Sequence, residues 1–248
     1  MNKREKRFIA LTAVLSLALC GAPPASAMHI MEGYLPPSFC VLWGVVCLPV
    51  LAAGVISIRR IAREQRKAML LLAMAGAFVF VISSLKIPSV TGSCSHMTGT
   101  GLAAILFGVP VTAVLGVIVL VFQAILLAHG GLITLGANAF SMAIAGPLVS
   151  WGLYRGGKRL NLPKRVNIFL AAALGDLFTY CVTSVQLALA YPSAHGGAAA
   201  SMVEFLGVFA PTQLPLAVIE GLLTMLVLMG MESYALPELR TIGYVKEN

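Results

Sequence analysis

Charge is what this sequence has least of. Only 10% of its 248 residues are Asp, Glu, Lys or Arg, against roughly a quarter in soluble domains, and 59% are hydrophobic. That shortage excludes an ordinary water-facing surface and marks an integral membrane protein. No G-x-x-x-x-G-K-[ST] loop occurs, so the chain carries no P-loop for hydrolysing ATP. No CxxC pair or zinc-type spacing occurs either. Cys20 lies in the leader, Cys40, Cys47 and Cys181 in apolar helices and Cys94 in a loop, which reads as small apolar filling. No polar linker divides the chain, so one membrane-embedded domain is expected. The net charge of +8 sits in short basic runs beside apolar stretches, where it sets topology. Nucleic-acid binding is thereby excluded.

What is present begins with a leader. Lys3, Arg4, Lys6 and Arg7 precede an apolar run from Phe8 to Cys20, and Ala25-Ser26-Ala27 has the small-residue form of a signal-peptidase site. Cleavage after Ala27 would leave residues 28–248 as the mature chain, beginning Met28-His29 outside the cytoplasm. A lipoprotein signal at Cys20 is disfavoured by the bulky Leu19.

The first mature span, Phe39 to Ile58, has about the ~20 residues a bilayer needs. It ends at Arg59, Arg60, Arg63, Arg66 and Lys67, which the positive-inside rule places in the cytoplasm. A second span, Ala68 to Leu85, returns the chain outward, so the following loop carries His96 to the face of His29. Gly108-Val109-Pro110 should break the next apolar stretch into a short helix, Thr98 to Phe107, and a long one, because proline removes a backbone donor and disfavours helix before itself. Spans follow near Gly136 to Tyr154, Val166 to Tyr191 and Phe209 to Met231. The fold class is all-α and polytopic, with about seven transmembrane helices and a cytoplasmic C-terminus. All four histidines, His29, His96, His129 and His195, fall outside, although histidine played no part in placing the spans. His129 and His195, each in an "AHGG" turn, read first as loop residues.

Met28-His29 at a new N-terminus carries distinctive chemistry. The Met28 α-amine, the His29 amide nitrogen and the His29 Nδ1 close two chelate rings in one plane, leaving a fourth corner that His96 can fill. A planar four-nitrogen set suits Cu(II) or Ni(II) and is open to Co(II), whereas Ca(II) and Mg(II) want oxygen and zinc prefers a tetrahedron. Met31 could add an axial sulfur, and Glu32 could orient the site or be a solvated loop acid. Asp176 and Glu220, with Gln123, Gln186 and Gln213, lie inside predicted spans, where polar groups serve ion passage or inter-helix hydrogen bonding. A membrane metalloenzyme built on the same metal is the competing reading, but a filled square leaves no open position for a substrate.

The stretches "MHIMEGYLPP" (28–37), "KIPSVTGSCSHMTGTGLAAILFG" (86–108), "LLAHGGLITLGANAFSMAIAGP" (126–147) and "PTQLPLAVIEGLL" (211–223) resemble the CbiM and NikM family over the whole mature chain. The resemblance implies a substrate-capture subunit of an energy-coupling-factor importer for cobalt or nickel in a bacterial inner membrane. It adds an N-terminal helix to a six-helix core. Implied metal ligands are the Met28 amine, the His29 backbone and ring nitrogens and the His96 imidazole, with Asn138 as a supporting residue. Implied partners are a transmembrane coupling subunit, two cytoplasmic ATP-binding subunits and a small membrane accessory subunit, besides membrane lipids. The chain would be no enzyme and hold no catalytic cofactor. Its bound Co(II), or alternatively Ni(II), is the substrate, destined for cobalamin biosynthesis in the cobalt case.

Overall fold

The computed structural model describes residues 29–88 and 94–245; the leader, Met28, residues 89–93 and residues 246–248 lie outside them. The expected signal peptide and the Met28 amine therefore fall beyond the described residues.

Helix α1 (Pro37–Glu64) starts on a proline, whose missing N–H costs nothing in a first turn, and runs through Pro49. Its outer face, including Val41, Leu42, Val45 and Leu48, is exposed, as suits a helix against lipid. Where it does meet the bundle it does so through small residues. A Cβ on Gly54 would lie 2.1 Å from the Pro110 carbonyl oxygen, and one on Gly136 would lie 2.6 Å from the Gly44 Cα. Helix α2 (Arg66–Ser84) leads into a hairpin absent from the sequence expectation. Strands β1 (Lys86–Pro88) and β2 (Cys94–His96) pair antiparallel, with Lys86 opposite His96.

The break at Gly108 is as expected. Helix α3 (Thr100–Phe107) stops there, Gly108 adopts φ 80 and ψ 172, and α4 (Val109–Leu127) begins with Pro110 in its first turn. At ~1.5 Å per residue α3 rises only about 12 Å, while α4 crosses the bundle. Next come α5 (Leu135–Asn138), a π-helical stretch from Ala139 to Ala145, and α6 (Gly146–Arg159) without interruption. The wide turns end just before Pro147, which cannot donate into a regular α ladder.

Helices α7 (Lys164–Ala190) and α8 (Gly197–Tyr234) make the most extensive interface, and α9 (Leu236–Thr241) closes the described chain. The last span was expected to begin at Phe209. Instead α8 starts at Gly197 and passes through Pro211 and Pro215, since each proline removes one donor without ending a helix that neighbours hold. Of the seven expected crossings, α1, α4, α7 and α8 are long and apolar enough to cross a membrane, and α2 contributes a shorter apolar stretch, Ala68–Ser84. The chain is thus a mostly helical, polytopic membrane protein.

Candidate metal centre

Ile30 holds the start of the described chain in place. It is fully buried with Leu35, Cys40, Ala137, Leu187 and Phe209, and burying such a side chain contributes about 1.5–3 kcal/mol. Its backbone is gripped as firmly. The Ile30 N–H donates to Asn138 Oδ1 at 2.8 Å, while its carbonyl accepts from Asn138 Nδ2 at 3.0 Å and from the Thr134 hydroxyl at 2.7 Å. His29 is thereby fixed at the end of α4.

His96 arrives at the end of β2, and the chain just beyond it is fastened from below. Glu220 on α8 accepts from the Thr98 N–H at 2.6 Å and from the Thr98 hydroxyl at 2.9 Å. Gln213 Nε2 donates to Asp176 Oδ2 at 2.6 Å and lies 3.4 Å from the His96 carbonyl. The third element is the end of α4, where Ala128 takes a left-handed conformation (φ 46) at a cost of roughly 1–2 kcal/mol for a residue with a Cβ. That turn aims His129 inward. Gly130, also left-handed at φ +73, leaves the room His29 needs, since a Cβ there would lie 3.3 Å from the His29 ring.

Three imidazoles therefore meet. His29, His96 and His129 are 2%, 0% and 2% exposed, and one nitrogen of each lies within 4.8 Å of the others. His29 and His96 stand edge to face at 4.4 Å and 69°, whereas His129 stacks on His29 at 4.6 Å and 28°.

With the Gln123 amide oriented as it stands, the hydrogen bonds around the rings support one placement of the protons. Ser83 donates to the Val79 carbonyl at 2.5 Å, so its oxygen receives Gln123 Nε2 at 2.7 Å. Gln123 Oε1 then faces His29 Nε2 at 3.1 Å, and that nitrogen must carry the hydrogen. On the other ring, His96 Nδ1 lies 2.8 Å from the Met97 carbonyl and must also donate. Both relays end on a backbone carbonyl, which can only accept. What remains is the His29 Nδ1 and the His96 Nε2, 2.8 Å apart, each a bare lone pair in the neutral ring. Two ring nitrogens so placed suit a single metal ion bound to both. His129 Nε2 is buried nearby without a hydrogen-bond partner.

No positive charge is stored in the rings themselves. Burial, and then the neighbouring rings, hold His29 well below the usual histidine range. Burial pushes His96 down to about 4 against an opposing pull from the Met97 carbonyl, and burial with His96 nearby pushes His129 down to about 3. The site at neutral pH is a nest of unprotonated nitrogens, with outer N–H groups held by oxygen, the arrangement that orients metal-binding histidines.

The structure brings His29 and His96 together as the sequence reading expected, and adds His129, which the sequence alone marks as a loop residue. Its signal was the "AHGG" turn closing a long apolar helix. His195 is exposed in the turn between α7 and α8 and stays apart. Asn138 serves as a holder of Ile30. Glu32 does not touch the rings; its carboxylate accepts from the Ile133 N–H, 3.2 Å away, and braces residues 131–133. Met31 is 38% exposed and takes no part.

Comparison with known proteins points the same way. The family profile described as the cobalt uptake substrate-specific transmembrane region, CbiM, matches residues 29–236. The chain is 62% identical over 245 residues to a cobalt transport protein of Lachnoclostridium phytofermentans, covering 99% of this chain and 98% of that one. It is 62% identical over 214 residues to its counterpart in Chlorobium limicola, covering 86% and 84%. A crystal structure of a truncated transition metal transporter superposes with a TM-score of 0.71 at 27% identity, over 83% of this chain and 99% of that one.

Proposed function

The chain belongs to the CbiM family of cobalt-uptake transmembrane regions, and on that premise we propose that it is the metal-capturing subunit of an energy-coupling-factor importer. Its substrate is Co(II) for cobalamin biosynthesis, with Ni(II) as the alternative cargo. The observation that carries the reading is the pair of lone pairs on His29 Nδ1 and His96 Nε2, 2.8 Å apart. Adjacent corners of a square with metal–nitrogen bonds of about 2.0 Å are separated by roughly 2.8 Å. The Met28 amine and the His29 amide nitrogen supply the other two corners once cleavage after Ala27 frees them.

In this reading the His29 ring lies in the chelate plane. His129, stacked on that ring at 28°, lies out of that plane beside the site. Soft, borderline ions that accept nitrogen are selected over Mg(II) and Ca(II).

The mature N-terminus and the histidines face outward in the bacterial inner membrane, and the basic ends of α1, α6 and α9 face the cytoplasm, in keeping with the charge distribution. Seven helical segments then traverse or enter the bilayer. Release of so enclosed an ion calls for a partner, so the subunit works with a transmembrane coupling subunit, two cytoplasmic ATP-binding subunits and a small accessory subunit. The test is metal analysis of the purified chain with its N-terminus sequenced. One Co(II) or Ni(II) per chain beginning at Met28, lost in His29→Ala, supports the reading. A different N-terminus, or metal retained by His29→Ala, contradicts it.

A further inference from the structure

The end of the bundle opposite the histidines carries a second, differently built site. Arg155 and Lys158 project from the last turns of α6, and neither forms an ion pair with any acid among the described residues. Both are held against aromatic rings instead. The Arg155 guanidinium lies 4.1 Å over the Trp151 ring, and the Lys158 ammonium lies 4.6 Å over Tyr154 and 5.5 Å over Tyr244. Lys164 also sits 5.3 Å over Tyr244, but it is engaged by Glu232 at 2.5 Å.

Arg155 and Lys158 line a cavity of 340 Å³ between α3, α6 and the chain after α9. The Tyr154 and Tyr244 rings line it too, stacked 6.3 Å apart at 9°. Trp151, Arg155 and Gly108 also line a neighbouring cavity of 400 Å³, whose other walls are Val109, Pro110 and Leu148. That second cavity is apolar and opens on the lipid-facing side, where Leu148 is 52% exposed. Basic pocket and apolar groove share one wall.

From this juxtaposition we propose that the chain binds one anionic phospholipid here. Its phosphate is gripped by Arg155 and Lys158, and an acyl chain lies along Pro110 and Leu148. A free anion would use the basic pocket and leave the groove idle, whereas a zwitterionic lipid would place its ammonium against the same two cations. Aromatic rings at this level also suit the membrane interface, and basic pockets between helices are where anionic head groups seat. The basic cavity beside Arg59, Arg60 and Arg63 supplies an internal control, because it has cations without rings or an apolar groove.

The experiment is native mass spectrometry of the full chain in mild detergent. It is titrated separately with phosphatidylglycerol, phosphatidylcholine and inorganic phosphate. We expect one phosphatidylglycerol retained, at least tenfold more tightly than phosphatidylcholine. Each cation is worth about fivefold, so Arg155→Gln should weaken the adduct about fivefold and Arg155→Gln with Lys158→Gln roughly 25-fold. Arg59→Gln with Arg60→Gln should leave it within twofold. Cobalt binding by each variant reports that it is folded, and if the double variant fails to fold, Arg155→Gln alone decides. Equal retention of the two lipids, displacement by millimolar phosphate, or equal loss in the Arg59 and Arg60 variant would overturn the proposal.

Discussion

Two buried polar clusters sit a few residues apart in this protein, and they are built from different groups. At Glu220 the carboxylate takes two donors from Thr98, and Gln213 donates to Asp176, so each carboxylate is reached by at least one donor, while Asp176 Oδ1 and Gln213 Oε1 stay buried without a partner. At His29 and His96 the donors point outward, to Gln123 and the Met97 carbonyl, and lone pairs face each other. Burial is equal, with Glu220, Asp176, His29 and His96 all at most 2% exposed. Burial alone therefore does not mark a binding site. The residue types do, since neutral ring nitrogens converging at 2.8 Å suit a metal ion, whereas the carboxylates hold the Thr98 segment that positions His96.

Deletion separates the two clusters most visibly. His96→Ala should abolish stoichiometric Co(II) binding measured by isothermal titration, whereas Glu220→Gln, which keeps the side chain's shape, should retain one ion per chain. Loss of metal in both, with both folded, would erase the distinction. Next in size is Asn138→Ala. It frees the Ile30 backbone and should weaken Co(II) binding about 10- to 100-fold, the usual consequence of removing a group that orients ligands.

On the scaffold side, Thr98→Val should leave Glu220 without its hydroxyl donor and lower stability by about 1–3 kcal/mol, read as an earlier thermal transition of the metal-free protein. Its Co(II) affinity should shift less than that of Asn138→Ala. The smallest change expected is at His129. If it covers the site without ligating, His129→Phe should keep binding within about tenfold; complete loss would make it a ligand.

Acidity sharpens the same contrast. His96 and His129 have folded values of about 4 and about 3, below the ~6.5 of an unfolded histidine. The unfolded chain thus binds more protons below pH 6.5, so the stability these rings contribute is fully present above about 6.5 and is lost as pH falls toward 4. A metal-free thermal transition that stays constant from pH 8 to 7 and drops between 6 and 4 agrees. With the rings already neutral at pH 7, protons released on Co(II) binding there come from the Met28 amine and the His29 amide. Titrations in buffers of different ionisation enthalpy should count between one and two per ion.

Much of the fold was legible in the sequence because it rests on local signals. Gly108 and Pro110 announce the break between α3 and α4, and the basic runs announce where helices end. The hairpin at residues 86–96 was not legible, since it is only three pairs long and lacks alternating pattern. The early start of α8 was hidden by Pro211 and Pro215, which read as terminators until neighbours hold the helix. His129 was missed because its role depends on the left-handed turn at Ala128, a conformation that alanine does not advertise. The wiring of Gln123 and Ser83, from different helices, is visible only in three dimensions.

The central claim is that leader removal creates half of the metal site. It is tested most directly by measuring Co(II) binding to the chain beginning at Met28 beside the same chain retaining Ala27. The first should bind one ion and the second should lose at least about a hundredfold in affinity, because an acylated Met28 nitrogen no longer offers an amine. Equal binding by the two would contradict the account and leave the three imidazoles as the whole of the site.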